Sequence, residues 1–168
     1  EMGRDRGLIP QIEPEGADLL QALAPPRDGV RYGCVLSRAR PPSLMANAMV
    51  GLKPRHQALY ALFRVMHSIT ADMSPKLLPV LDLEQKLAIS RAYEGIPDQT
   101  ANDAVVPTLS QVFGEVIHAH WGDHLDAIGH FDDPRHDPPH VEWLCTMSGF
   151  DRPAFVSLWS DVADFIAR

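Results

Sequence analysis

Two β-rich segments, VRYGCVLSRA at residues 30–39 and GEVIHAHW at 114–121, constrain this chain more than anything else in it. The first is bounded by Gly29 and Pro41, and both carry branched or aromatic side chains of the kind that suit a pleated surface. Residues 40–113 lie between them. Antiparallel neighbours can be joined by a tight turn, whereas parallel neighbours need a long crossover, usually helical. The expectation is an α/β architecture with parallel strands. The first segment alternates imperfectly, as a strand covered on both faces does. The second alternates Val116, His118 and His120 against Glu115, Ile117 and Ala119, which puts both histidines on one face.

Apolar spacing predicts four helices. Residues 16–24, GADLLQALA, align Leu19, Leu20 and Leu23. Residues 56–70 place Leu59, Leu62, Phe63, Met66 and Ile69 on one stripe. A third helix covers 83–93 and ends at Gly95 and Pro97. The fourth, 152–167, follows an Asp151 cap and carries Phe155, Leu158, Trp159, Val162, Phe165 and Ile166. Residues 1–14, 41–56, 98–111 and 122–140 read as loop, the second being rich in Pro and Gly and the third holding a brief apolar turn. Two parallel strands cannot bury both of their faces, so more strands are expected from elsewhere. The chain opens at Glu1 with no initiator methionine and no signal-type apolar stretch, and it reads as one piece of a longer protein.

Bulk properties exclude some functions. The net charge of −7, with scattered Lys and Arg, argues against a nucleic-acid surface. No apolar run approaches the roughly 20 residues of a membrane span. Cys34 and Cys145 are the only cysteines and sit in unlike contexts, so no disulfide framework is expected and the compartment stays open.

The chemistry concentrates in HAHWGDH, residues 118–124. Dinuclear zinc hydrolases of the metallo-β-lactamase type use H-x-H-x-D-H. Here the pattern is H-x-H-x-x-D-H, through His118, His120, Asp123 and His124. The extra residue moves a ligand away, and zinc tolerates little displacement from about 2.0–2.1 Å to nitrogen. A satisfied histidine pair in a half-buried strand is the commoner outcome. The competing reading takes His124 as a general base and Asp103, in the loop before the strand, as the carboxylate that holds its other nitrogen. Sites of open α/β sheets lie at the carboxyl ends of strands, where both residues would fall.

The stretch NDAVVPTLSQVFGEVIHAHWGDHLDAIGHF resembles the acid-to-histidine segment of bacterial triacylglycerol lipases in the α/β-hydrolase superfamily. Those enzymes carry an N-D-x-x-V element with the triad acid, then a strand, then N-H-L-D with the triad histidine. The resemblance implies Asp103 as acid and His124 as base, in the superfamily's acid-then-histidine order. It implies that residues 1–168 are the C-terminal part of one hydrolase domain, with 40–102 a helical insertion that could serve as a cap. Met45 and Met49 would add apolar bulk there. Asp123 stands where Asn is usual, and the family's cysteine after the acid loop is missing.

None of the nine serines sits in the G-x-S-x-G frame of the superfamily's nucleophile elbow; Ser148, in CTMSGF, comes nearest but follows the histidine. The nucleophile-bearing strands are therefore expected outside this sequence, in an upstream segment of the same protein. The resemblance also implies a structural Ca²⁺ at Asp126, with Asp82 as distant carboxylate and carbonyls near His130 and Pro134. The plainer alternative has Asp126 bonding its own loop and Asp82 capping the helix that begins at Leu83. The expected activity is Ser-His-Asp hydrolysis of a carboxylic ester or lipid, with no cofactor required for catalysis. A non-catalytic hydrolase-like binding module and a metal-dependent hydrolase are the alternatives.

Overall fold

The protein's structure, a computed structural model, describes residues 26–72 and 79–168. The helix expected at 16–24 lies outside them. The chain divides into two units after Arg31. The described part of the first, residues 26–31, holds a turn in which the Val30 N–H donates to the Arg27 carbonyl (3.2 Å). The second unit holds β1 (Gly33–Arg38), α1 (Leu44–Val50), α2 (Pro54–Ala71), α3 (Leu83–Tyr93), β2 (Glu115–Trp121) and α4 (Arg152–Ala167), with short 3₁₀ turns at Thr108–Gln111 and Asp126–Ile128.

The two strands pair in parallel, as their separation in sequence requires. The architecture is thus mixed helix and strand around a small parallel sheet. Its register skips one residue: Cys34 pairs with Val116, but Val35 pairs with His118. Ile117 is the extra residue of a bulge, which reverses the facing of what precedes it. Val116 therefore does not share a face with the histidines as strict alternation predicts. It packs with Ala119 and Trp121 into a cluster around Leu36, Ile89 and Tyr93, where α3 covers the sheet. His118 and His120 face the other way: His118 reaches Asp161 of α4 and His120 reaches Phe150. On that second face Val35 packs with Phe131, Phe150 and Leu158.

Residues 41–56 are not all loop. Ser43 accepts the Ala46 N–H and caps α1, which Gly51 ends at φ +74°. Pro54 opens α2, where its missing N–H costs nothing. The buried line of α2 runs through Tyr60, Phe63 and Thr70, while Leu62 and Ile69, expected inside, face solvent. α1 and α2 pack around Ala39, Ala104 and Leu144, whereas α3 lies on the sheet. The described residues between 40 and 102 include α1, α2 and α3, of which only the first two stand off the sheet. The stop of α3 is Glu94, left-handed at φ 59°, one residue before the expected Gly95. Among the described residues no helix is long and apolar enough to cross a membrane.

Candidate active site

Both chain segments that follow the strands turn toward one place. After β1, the Ala39 N–H donates to the Asn102 carbonyl (2.9 Å); after β2, the Gly122 N–H donates to the Arg38 carbonyl (3.0 Å). These bonds set the acid loop and the histidine loop side by side at the carboxyl edge of the sheet.

The acid loop is built by its own polar side chains. Asn102, fully buried, donates to the carbonyls of Thr100 (2.8 Å) and of His67 on α2 (3.1 Å), and accepts the Ala104 N–H (2.8 Å). Asp103 Oδ1 accepts the N–H groups of Val105 (3.0 Å) and Val106 (2.7 Å). The short side chains of Asn and Asp favour such turns over helix or sheet. They hold Ala104 at φ 80°, a region that strains a residue with a Cβ. Thr70 of α2 clamps the same loop by donating to the Ala104 carbonyl (3.0 Å).

Asp103 Oδ2 lies 2.9 Å from His124 Nδ1, and the His124 N–H donates to the Asp103 carbonyl at 3.0 Å. The carboxylate is completely buried while the imidazole is 44% exposed. An ionised carboxylate only accepts, so Nδ1 carries the proton and Nε2 is left with the lone pair. The bond to Asp103 raises the His124 pKa above its usual value, against the lowering effect of partial burial. Chemically an imidazole held this way beside open solvent has what a general base needs.

Two residues at this site carry no sequence motif. Ser37 Oγ donates to Asp103 Oδ2 at 2.6 Å, and Gln111 Nε2 donates to the same oxygen at 3.1 Å. Ser37 is buried and its hydroxyl is bonded to the acid, on the same oxygen that His124 Nδ1 meets, so it is not offered to a substrate as a nucleophile. Ser148 is spent otherwise, donating to Asp126 Oδ2 (3.0 Å). Burial pushes the thiol of Cys145 up to about 11 and that of Cys34 upward, so neither is an activated thiolate.

The remaining residues of HAHWGDH go to separate partners. His118 Nδ1 pairs with Asp161 Oδ2 at 2.7 Å. Both ring nitrogens of His120 are buried without a hydrogen-bond partner, and burial lowers its pKa to about 4, so the ring is neutral. Asp123 turns inward, accepting the Leu125 N–H (2.8 Å) and the Thr146 hydroxyl (3.2 Å). Among the described residues no group of three or more His, Cys, Asp or Glu side chains is arranged to hold a metal ion. Nor do the two aspartates expected to share calcium meet. Asp82 caps α3 by accepting the Gln85 N–H, and Gln85 in turn reaches the Gly114 carbonyl at the amino end of β2. Asp126 accepts the Asp123 N–H (2.9 Å) beyond the carboxyl end of that strand. At about 3.3 Å per strand residue the two lie roughly 20 Å apart, too far for one ion.

The fold and site together define a mixed α/β unit that presents a buried carboxylate and a half-exposed histidine at the carboxyl edge of parallel strands. No family model matches the chain, and no curated protein or solved structure does either.

Proposed function

We propose that this chain supplies the general base and the orienting acid of a serine carboxylic ester hydrolase of lipase-like character. The observation that carries the reading is the 2.9 Å bond between His124 Nδ1 and the fully buried Asp103. These two residues occupy the positions that the resemblance to bacterial triacylglycerol lipases assigns to acid and base. Exposed Leu44, Met45 and Met49 on α1 suit an apolar acyl chain.

A serine from a preceding segment of the same protein attacks the ester carbonyl, and His124 Nε2 takes its proton. Backbone N–H groups of that segment hold the oxyanion. The tetrahedral intermediate collapses to an acyl-enzyme as His124 passes the proton to the departing alcohol. Water then attacks the acyl group, with His124 again as base, and His124 returns that proton to the serine oxygen as the acyl–oxygen bond breaks and the carboxylic acid leaves. Asp103 stays ionised throughout, fixing the Nδ1–H tautomer and stabilising the imidazolium. Among the described residues the sheet has two strands, and parallel strands normally sit within larger sheets covered on both faces, which supports further strands from outside the described residues.

In the protein expressed from its complete reading frame, a fluorophosphonate probe labels a serine and short-chain p-nitrophenyl esters are hydrolysed. His124→Ala abolishes both, and Asp103→Asn lowers kcat by about 10⁴. Labelling that survives His124→Ala overturns the assignment. A wild-type protein that neither labels nor hydrolyses supports a non-catalytic binding module instead.

A further inference from the structure

Resting on the reading above, we propose that Ser37, clipped in place by Gln111, is a positioning residue that shares Asp103 Oδ2 with His124 and limits how strongly the acid holds the imidazolium. The clip begins with the edge of β1. Ser37 directs its peptide group away from β2, and the Gln111 side-chain amide meets that group as a neighbouring strand would. The Ser37 N–H donates to Gln111 Oε1 at 2.8 Å, and Gln111 Nε2 donates to the Ser37 carbonyl at 3.2 Å. This double pairing decides which end of the amide is oxygen, because only Oε1 can accept the Ser37 N–H. Nε2 is then left aimed at Asp103 Oδ2.

The hydroxyl of Ser37 has two acceptors within reach, Asp103 Oδ2 at 2.6 Å and Gln111 Oε1 at 3.3 Å. It has one proton to give. The charged acceptor takes it, since bonds to a carboxylate are shorter and stronger than bonds to an amide. Oδ2 thus receives Ser37, Gln111 and His124, while Oδ1 receives two backbone N–H groups. Two neutral donors pull electron density from the oxygen that the imidazolium also needs. They hold the carboxylate plane fixed and weaken its grip on the proton of His124. The ionisable groups that face His124 are Asp103 and Asp123, and neither variant below alters them.

Removing a competing donor strengthens the bond that remains. Ser37→Ala and Gln111→Ala each therefore raise the proton affinity of His124 about threefold, read as an upward move of its imidazole titration by NMR. The Nδ1 proton resonance moves downfield in step. Ser37→Thr keeps the hydroxyl and restores the wild-type titration. Loosening alone would weaken the Asp103 bond and lower the proton affinity, so a fall, or no change, in both alanine variants overturns the proposal. Should Ser37→Ala not fold, Gln111→Ala and Ser37→Thr give the same comparison. The NMR readout needs no turnover. If His124→Ala spares ester hydrolysis, the enzyme reading falls while the measured coupling of Ser37 to His124 stands.

Discussion

At the scale of single residues the protein commits two side chains to opposite environments, with Asp103 sealed from water and His124 half open. The consequence is a pH dependence with a definite sign. In the proposed mechanism His124 works as a base only when neutral, and its bond to Asp103 raises its pKa above the usual 6.5. Hydrolysis should rise through an acidic limb whose midpoint lies above 6.5. The linked stability runs the other way: protonated His124 bound to Asp103 adds stability that is complete below the unfolded pKa near 6.5 and fades as pH rises through the folded value. Asp103→Asn removes the principal cause of the lift. NMR titration of His124 in that variant should fall to or below 6.5, and an unchanged value would show that the pair is not coupled. Asp103 and His124 could be found from sequence because each sits in a short motif whose neighbours do the local work: Asn102 shapes one loop and Leu125 and Asp126 follow the other. Ser37 and Gln111 could not. Their bonds to the site span 66 and 8 residues, and Gln111 finds Ser37 across 74. A lone serine in a strand or a glutamine in a turn carries no pattern by which such a pairing could be read.

At the scale of elements, the strands and the long helices were legible because their periodicities are strong, and the failures have local causes. One inserted residue, Ile117, reversed the facing of Val116; a bulge leaves no signature in alternating apolar letters. The short α1 was hidden by flanking Pro and Gly, although Ser43 supplies an ordinary cap. Gly114 shows how closely the start of β2 is built. It sits at φ +73°, and a Cβ there would overlap the backbone of Tyr32, whose carbonyl accepts the Glu115 N–H at 2.9 Å to begin the ladder. Gly114→Ala should cost roughly 1–3 kcal/mol by chemical denaturation, and an unchanged midpoint would mean that the approach of the strands relaxes freely. Asp82 gives a second check on element ends. Both halves of its capping box are present, with the Asp82 N–H donating to Gln85 Oε1 (2.9 Å) and Asp82 Oδ1 accepting the Gln85 N–H (2.8 Å). Asp82→Ala should lower stability by about 1 kcal/mol. The loss should be the same with added calcium or with chelator, since the carboxylate serves the helix.

At the scale of the whole molecule, the segment after His124 is locked to the rest through buried acids. Asp123 and Asp126 are almost fully buried, and half-buried Glu142 accepts the Thr146 N–H (3.0 Å) beside them. Gly122 leaves the room they need, because a Cβ there would stand 3.0 Å from Asp126 Oδ2 and 2.9 Å from the His120 ring. Burial raises the pKa of all three carboxyls; the charge of Asp126 adds to the effect on Asp123, and the charge of Asp123 to that on Glu142, which reaches about 7. The neighbouring His120 is neutral and offers them no compensating charge. Folded-state values above the unfolded ones mean that the folded protein binds protons the unfolded chain would release. The stability this provides is complete below the unfolded values near 4, and it is lost as pH rises through the folded values near 7. Thermal stability should therefore fall between about pH 5 and pH 8, by roughly 5 °C or more for a unit of this size. Glu142→Gln keeps an acceptor for the Thr146 N–H but removes the charge. It should flatten that decline and leave the variant more stable than wild type at pH 8 while little changed at pH 5. Equal pH slopes for the two proteins in calorimetry would show that the acids stay ionised and paired in some other way.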